Sequence, residues 1–509
     1  MTRPADPLAG ARPAPDDPAP EGTDRPSLRV PSRLDPTAWR AARSLGGAWG
    51  RHAAVGGHSW WTPLRWVLAM TLLTLLLGFA QKAPCATGYW DGSKQYTHFC
   101  YSDVVPLWSD ERLDVGGVPY RDTTVEYPVL TGAFMWLTAD LTRGVHVLDS
   151  HWSELVIFGA LTALLLSLSG LVVAGATAQT ARGRPYDAAI FALSPLLVFH
   201  AFSNWDLLAM ALASAALWAW SRDRPVAAGV FIGLGTAAKL YPIFLLVPLL
   251  VLAMRTRRYA PALWAGAAAA TAWLTVNLPI AMAYHDGWWA FYKFSTDRPA
   301  ERSSAWAVLK TLADSGSNPS DSVYWVPPGA AVALAVVAGI LVVVWIGLSA
   351  PRKPRLAQLA FLAVLAFLLT TKVWSPQYSL WLVPLLALAR PRWRLALVWQ
   401  FVEIAVWFVT LTLLLGLDPA QSAHGIGYGW LMLLIGIRDA LLLSLAALIV
   451  RDIWRPERDV VRAGGVDDPG GGVFDGAHDY FSRDSGARDG HNTGEPDTSS
   501  SGLRASNLS

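Results

Sequence analysis

The sequence predicts an all-α polytopic membrane protein with about twelve transmembrane helices. Three observations carry that prediction. Hydrophobic residues make up 53% of the 509 and charged residues only 16%, where soluble domains average roughly 25% charged. Mean hydropathy is +0.33. Apolar stretches also recur along the chain, separated by short basic connectors. A net charge of +3 gives no support for nucleic-acid binding. Two cysteines exclude a disulfide framework or a four-cysteine zinc site.

Residues 1–61 are rich in Pro, Ala, Arg and Asp, as in RPAPDDPAPEGTDRP. Such composition cannot bury enough apolar surface to fold and predicts a disordered tail. No short apolar region with a small-residue cleavage site opens the chain, so no cleaved signal peptide is expected. Residues 451–509, dominated by Gly, Asp, Ser and Arg, read as a second disordered, mildly acidic tail. The membrane domain between them spans 62–450. Its expected helices are 63–81, 153–177, 186–202, 205–220, 225–239, 241–254, 258–282, 328–349, 356–371, 376–390, 394–416 and 429–450.

Basic connectors set the expected topology. Arg182/Arg184, Arg222/Arg224, Arg255/Arg257/Arg258, Arg352/Lys353/Arg355 and Arg390/Arg392/Arg394 should all face the cytoplasm. Counting the apolar segment 127–141 as a span would put every one of them outside. It therefore reads as a helix on the outer surface, with both termini cytoplasmic and outer loops at about 82–152 and 283–327. The turns at Asn204–Asp206, 239–242 and 371–377 fall on that same outer side. Trp60, Trp61, Trp288, Trp289 and Trp374 sit at these edges, as an interfacial belt requires.

Polar chemistry gathers on the outer side. The first loop holds Cys85 and Cys100, which form a disulfide there or stand as two free thiols. Asp103 follows, then Asp110, Glu111, Asp114, Asp122 and Glu126. A carboxylate at a membrane edge can be tuned as a general base, although such clusters are usually a solvated loop. Lys239 and Lys372 end apolar stretches on the side that positive charge avoids. They either snorkel or bind an anion, with phosphate the natural candidate. Asn204 and Asp206 lie at the same level, and the second loop adds Lys293, Asp297, Arg298 and Arg302. Gly233-Leu234-Gly235 before Lys239 lacks the spacing of a phosphate-binding loop and suits close helix packing instead. His146, His151 and Glu154 lack zinc spacing.

The order of CYSDVVPLW, VEYPVLTGAFMWL, NWDLLAMAL, AAKLYPIFLL and TTKVWSPQYSLWLVPLLAL resembles the C-fold membrane glycosyltransferases. It resembles most the polyprenyl-phosphate-mannose-dependent glycosyltransferase family 87 common in actinobacteria. The resemblance covers roughly residues 62–450. It implies a C-fold with extracytoplasmic jaw helices, one of them 127–141, in the plasma membrane, and Asp103 as the catalytic aspartate. Glu126-Tyr127-Pro128 is reduced from the proline pair often seen in that helix. The histidine some relatives use near the lipid phosphate has no placed counterpart, and Lys239 and Lys372 stand in for it. Tyr241, Gln377, Tyr378, Asn204, Asp206, Glu126 and Arg298 complete the expected donor-phosphate and substrate site. The implied donor is a polyprenyl-phosphate sugar, mannose by resemblance. The acceptor is a glycolipid or cell-wall glycan, and neither cofactor nor metal is required. A secondary transporter or lipid-linked-sugar flippase, and a non-catalytic scaffold, are the rival readings. A transporter would concentrate its charges near mid-membrane.

Overall fold

The computed structural model describes residues 61–88, 93–314, 325–418, 420–462 and 465–482. The expected N-terminal tail lies outside the described residues apart from Trp61, as do residues 483–509 and Trp60. Fourteen helices of nine residues or more form the described part. They are α1 (Pro63–Lys82), α2 (Val129–Leu148), α3 (Glu154–Thr180), α4 (Asp206–Ser221), α5 (Pro225–Ala238), α6 (Leu246–Thr256) and α7 (Tyr259–Ala283), followed by α8 (His285–Asp297), α9 (Ala305–Ala313), α10 (Gly329–Ser349), α11 (Leu356–Thr370), α12 (Ser379–Ala389), α13 (Trp393–Gly416) and α14 (Tyr428–Trp454). No β-strand occurs among the described residues.

Six helices are long and apolar enough to cross a bilayer: α1, α3, α7, α10, α13 and α14. Together they mark a membrane-embedded protein. Helices α4, α5, α6, α11 and α12 belong to shorter apolar stretches. The sixteen residues of α4 reach about 24 Å at 1.5 Å per residue, short of a hydrocarbon core of about 30 Å. The short helices form the interior. Every residue of α12 is buried, whereas α10 buries only Val343, Ile346 and Gly347. Short inner helices inside longer outer ones leave a recess over their ends.

The segment 186–202 is not the continuous helix the sequence predicts. It is broken into Pro185–Ala188, Ala189–Ala192 and Pro195–His200. Pro195 supplies no backbone N–H to a preceding turn. Ser194, just before it, turns its hydroxyl to Gln400 Oε1 at 2.6 Å. The segment 127–141 forms the longer α2, which is not among the helices apolar enough to span. Its buried residues, including Val129, Gly132, Met135, Ala139 and Thr142, follow one stripe at helical spacing, so a single face packs.

Close packing of α5 on α7 depends on Gly233, assigned to helix packing from the sequence, and on Gly229 one turn before it. A Cβ at Gly229 or Gly233 would overlap the carbonyl oxygens of Ala265 and Ala269. Two backbones approach this closely only through small residues.

The expected C-terminal tail departs most from the sequence reading. Helix α14 continues to Trp454, and residues 455–462 and 465–482 form an ordered strap rather than a solvated tail. The strap crosses the bundle face that carries the basic connectors. Arg355 pairs with Asp459 at 2.6 Å, both nearly fully buried. Arg255 pairs with Asp479 at 2.6 Å and Lys353 with Asp467 at 2.9 Å. Arg184 donates to the Val460 carbonyl and Arg392 to that of Arg458, while Asp468 Oδ2 accepts the backbone N–H of Leu356 at 2.7 Å. Composition suggested solvation because the strap's acids were counted without their partners on distant loops.

Two predictions follow from this packing. Gly233→Val should lower thermal stability by the equivalent of about 1–3 kcal/mol, read as a fall in Tm in detergent. Gly266→Ala on the facing helix, where an added Cβ meets nothing within 4 Å, should not. Arg355→Met should leave Asp459 buried and unpaired, at a cost of about 3–5 kcal/mol. Limited proteolysis should then cut the strap in the variant before it cuts the wild type.

Candidate active site

At the face opposite the strap, a cavity of about 540 Å³ opens over the ends of the short helices. Four of the five short helices, α4, α5, α11 and α12, bring polar groups to it. Asn204 precedes the N-terminus of α4, and Lys239 follows the C-terminus of α5. Lys372 follows α11, and Gln377 and Tyr378 precede α12. Cations after helix C-termini and an acid, Asp206, at a helix N-terminus complement the helix dipoles.

The first loop is fastened over this recess. Cys85 and Cys100 are joined by a disulfide with Cα atoms 5.7 Å apart. Gln81 and Lys82, at the end of α1, donate to the carbonyls of Phe99 and Tyr101 at 2.7 and 2.8 Å. Ser102 Oγ donates to the Phe202 carbonyl at 2.6 Å, and the Asp103 N–H to that of Ser203 at 2.9 Å. Asp103 is thereby laid against the turn that precedes α4.

There Asn204 Nδ2 donates to Asp103 Oδ2 at 2.6 Å and to the Tyr127 hydroxyl at 2.7 Å. Asn204 Oδ1 accepts the Trp205 N–H at 2.6 Å, which fixes the orientation of the amide. The Tyr101 hydroxyl also hydrogen-bonds to Asp103. Burial pushes the Asp103 carboxyl above the ordinary carboxylate range, while the Asn204 and Tyr101 hydrogen bonds and the Lys239 charge oppose that rise. Glu126, also on the cavity wall, is raised first by burial and then by the negative charge of Asp103. Carboxyl groups in such an environment hold or release a proton nearer neutrality than free ones.

Three cations, Lys239, Arg298 and Lys372, line the same cavity. Lys239 Nζ lies 3.3 Å from Asp206 Oδ2 and about 5 Å from the ring centres of Tyr127 and Tyr378. Arg298 pairs with Glu301 at 2.7 Å. Lys372 Nζ donates to the Thr296 carbonyl at 2.6 Å and has no carboxylate in ion-pair distance among the described residues. Leu240, Phe294, Val332 and Phe367 form an apolar side, next to the sparsely buried α10.

Of the residues expected from sequence, Asp103, Glu126, Asn204, Lys239, Arg298, Lys372, Gln377 and Tyr378 all line this one cavity. Asp206 and Tyr241 do not. They stand behind the wall, where Asp206 accepts from Trp381 Nε1 at 2.8 Å and Tyr241 stacks on Trp381 with centroids 4.4 Å apart. Asp110, Asp114, Asp122, Lys293, Asp297 and Arg302 also lie off the cavity lining, and Asp122 is paired with Arg121 at 2.8 Å. Sequence reading missed Tyr101, Trp381, Trp407 and Thr410, all on the wall. Only Tyr101, two residues before Asp103, carried a positional signal. Among the described residues no three His, Cys, Asp or Glu converge as metal ligands.

No curated protein matches the chain. Residues 126–372 match the family model of glycosyltransferase family 87, a stretch that carries Glu126, Asn204, Lys239, Arg298 and Lys372 and stops short of Asp103 on one side and Gln377 on the other, and the match supports glycosyltransferase activity.

Proposed function

We propose that the protein is a membrane glycosyltransferase that moves a sugar, mannose in our reading, from a polyprenyl-phosphate donor to an extracytoplasmic glycolipid or glycan. The observation that carries this reading is one cavity lined by Asp103, by the three cations Lys239, Arg298 and Lys372, and by apolar residues that include Val332 of the sparsely buried α10. The strap face, bearing the basic connectors, is then cytoplasmic, and the cavity opens outside, where nucleotide sugars are absent and a lipid-borne donor is needed. The plasma membrane is the proposed location.

In this scheme the donor phosphate lies against Lys372, Arg298 and Lys239, with its prenyl chain along Leu240, Val332 and Phe367. Lys239 and Arg298 already carry carboxylate partners, so Lys372 supplies the least compensated charge. Asp103 accepts the proton of the acceptor hydroxyl as that oxygen bonds to the anomeric carbon. The bond from that carbon to the phosphate oxygen breaks, and its electron pair leaves on the phosphate, stabilised by the cations. Attack opposite the leaving group inverts the anomeric centre. Phosphate leaves without an added proton, so the scheme needs one base and no acid.

Two measurements test this. In lipid nanodiscs with labelled polyprenyl-phosphate mannose and a membrane glycolipid extract, the wild type should transfer label and Asp103→Asn should transfer at least about a hundredfold less. Equal transfer by both proteins would remove Asp103 from the role of base. The base acts ionised, so kcat/KM should fall as pH drops through its raised pKa. The Asn204 N–H stabilises the ionised form. Asn204→Ala should therefore move that acidic limb to higher pH, by about one unit for a lost charge-assisted bond of about 1.4 kcal/mol. A limb that stays in place would break the link between Asn204 and the base.

A further inference from the structure

Three acids line the cavity: Asp103, Glu126 and Glu301. Two of them are matched. Asp103 accepts from Asn204 and Tyr101, and Glu301 pairs with Arg298 at 2.7 Å. The Glu126 carboxylate has no hydrogen-bond donor and no cation in ion-pair distance among the described residues. Glu126 is half-buried. Its oxygens are not among the sealed polar atoms that lack a partner, so they open onto the cavity that the residue lines. A partly desolvated carboxylate without a donor costs free energy that a bound donor group restores.

The backbone around Glu126 is fixed. Its N–H donates to Glu111 Oε1 at 3.3 Å, and the Tyr127 carbonyl accepts from the Tyr120 hydroxyl at 3.0 Å. The adjacent Tyr127 touches both parts of the site. Its hydroxyl lies 3.5 Å from Asp103 Oδ2, and its ring centre lies 5.2 Å from Lys239 Nζ. The charges acting on Glu126 agree with that placement. Asp103 raises its pKa, and Arg298 and Lys239 lower it. The proposed base and two of the cations therefore all lie within Coulombic reach of this one carboxylate.

That placement selects the ligand. In the proposed transfer the leaving phosphate meets the cations, and the attacking hydroxyl meets Asp103. The anomeric carbon lies between the two oxygens it exchanges, so the transferred sugar ring lies within reach of a group close to both. An ionised carboxylate accepts hydrogen bonds and donates none. It repels a phosphate and takes hydroxyl donors, and its two oxygens suit two neighbouring hydroxyls of a sugar. Such charge-assisted bonds are among the stronger ones a site can offer a neutral ligand.

We propose that Glu126 holds the transferred sugar of the donor by its hydroxyls, and so distinguishes a glycosylated prenyl phosphate from the bare one. This rests on the transferase reading, and a binding measurement separates the two because it needs no turnover. In nanodiscs, polyprenyl-phosphate mannose should bind the wild type about 10–100-fold more tightly than polyprenyl phosphate. Glu126→Ala should abolish that preference, and Glu126→Gln, which keeps one acceptor oxygen, should retain part of it. Both variants should bind polyprenyl phosphate at least as tightly as the wild type. Both should also keep its Tm, since the carboxylate has no partner to lose. In turnover, Glu126→Ala should raise the KM for the mannosyl donor about tenfold or more and leave the half-saturating amount of glycolipid extract unchanged. A preference that survives in Glu126→Ala, or a wild type that binds both lipids equally, would overturn the sugar subsite. Equal loss of affinity for both lipids would overturn it too, by assigning Glu126 to the phosphate site or to the fold. A preference lost in Glu126→Ala, together with no transfer by the wild type, would sink the transferase reading and uphold the sugar site.

Discussion

One carboxamide joins the parts of this site. Asn204 takes its position from the turn before α4 and spends both hydrogens of its Nδ2, one on Asp103 and one on Tyr127. Asp103 comes from the disulfide-tied first loop and Tyr127 from the entry to α2, so three separate segments meet at one side chain. The interaction is buried, and a buried polar group must be matched or it destabilises the fold. The same requirement that holds the loop in place leaves Asp103 with an oxygen on the cavity wall. Here local stability and the geometry of the chemistry are set by the same hydrogen bonds.

The recess itself comes from helix length. Apolar helices too short for a full crossing, wrapped by six that are long enough, end below the level of their neighbours. Backbone groups at those ends are unsatisfied, and Lys239, Lys372 and Asp206 supply the charges that the dipoles favour. Their presence is therefore explained by helix capping alone. The convergence of Lys239 and Lys372 on one cavity with Asp103 and Glu126 is what capping does not explain. At the opposite face the problem is answered differently: acidic residues of the strap pair with Arg255, Lys353 and Arg355 of the connectors.

Much of this was legible in the sequence because membrane constraints write themselves plainly. Apolar runs gave most helix positions within a few residues, and the sign of the connectors placed Arg184, Arg255, Arg355 and Arg392 together, where one strap touches them all. Asn204 and Lys239 stood out as polar residues at the ends of apolar runs, and Asp103 as the loop acid that the family resemblance marks. Three things stayed hidden. The break at Ser194–Pro195 lies inside a run apolar enough to pass for a span, because those residues are buried in protein rather than lipid. The strap looked disordered, since its acids count as solvated until their long-range arginine partners are known. Trp407 and Thr410 sit in an ordinary span pattern, and only three-dimensional packing shows that their polar atoms have no partner among the described residues.

The central claim is that this cavity receives the phosphate of a prenyl-linked sugar beside Asp103. Cryo-electron microscopy of the protein in nanodiscs with polyprenyl phosphate tests it most directly. The account predicts phosphate density in contact with Lys372 and Arg298, with the prenyl chain leaving along Val332 and Phe367. Density at the strap face, or a phosphate bound away from these cations, would contradict it.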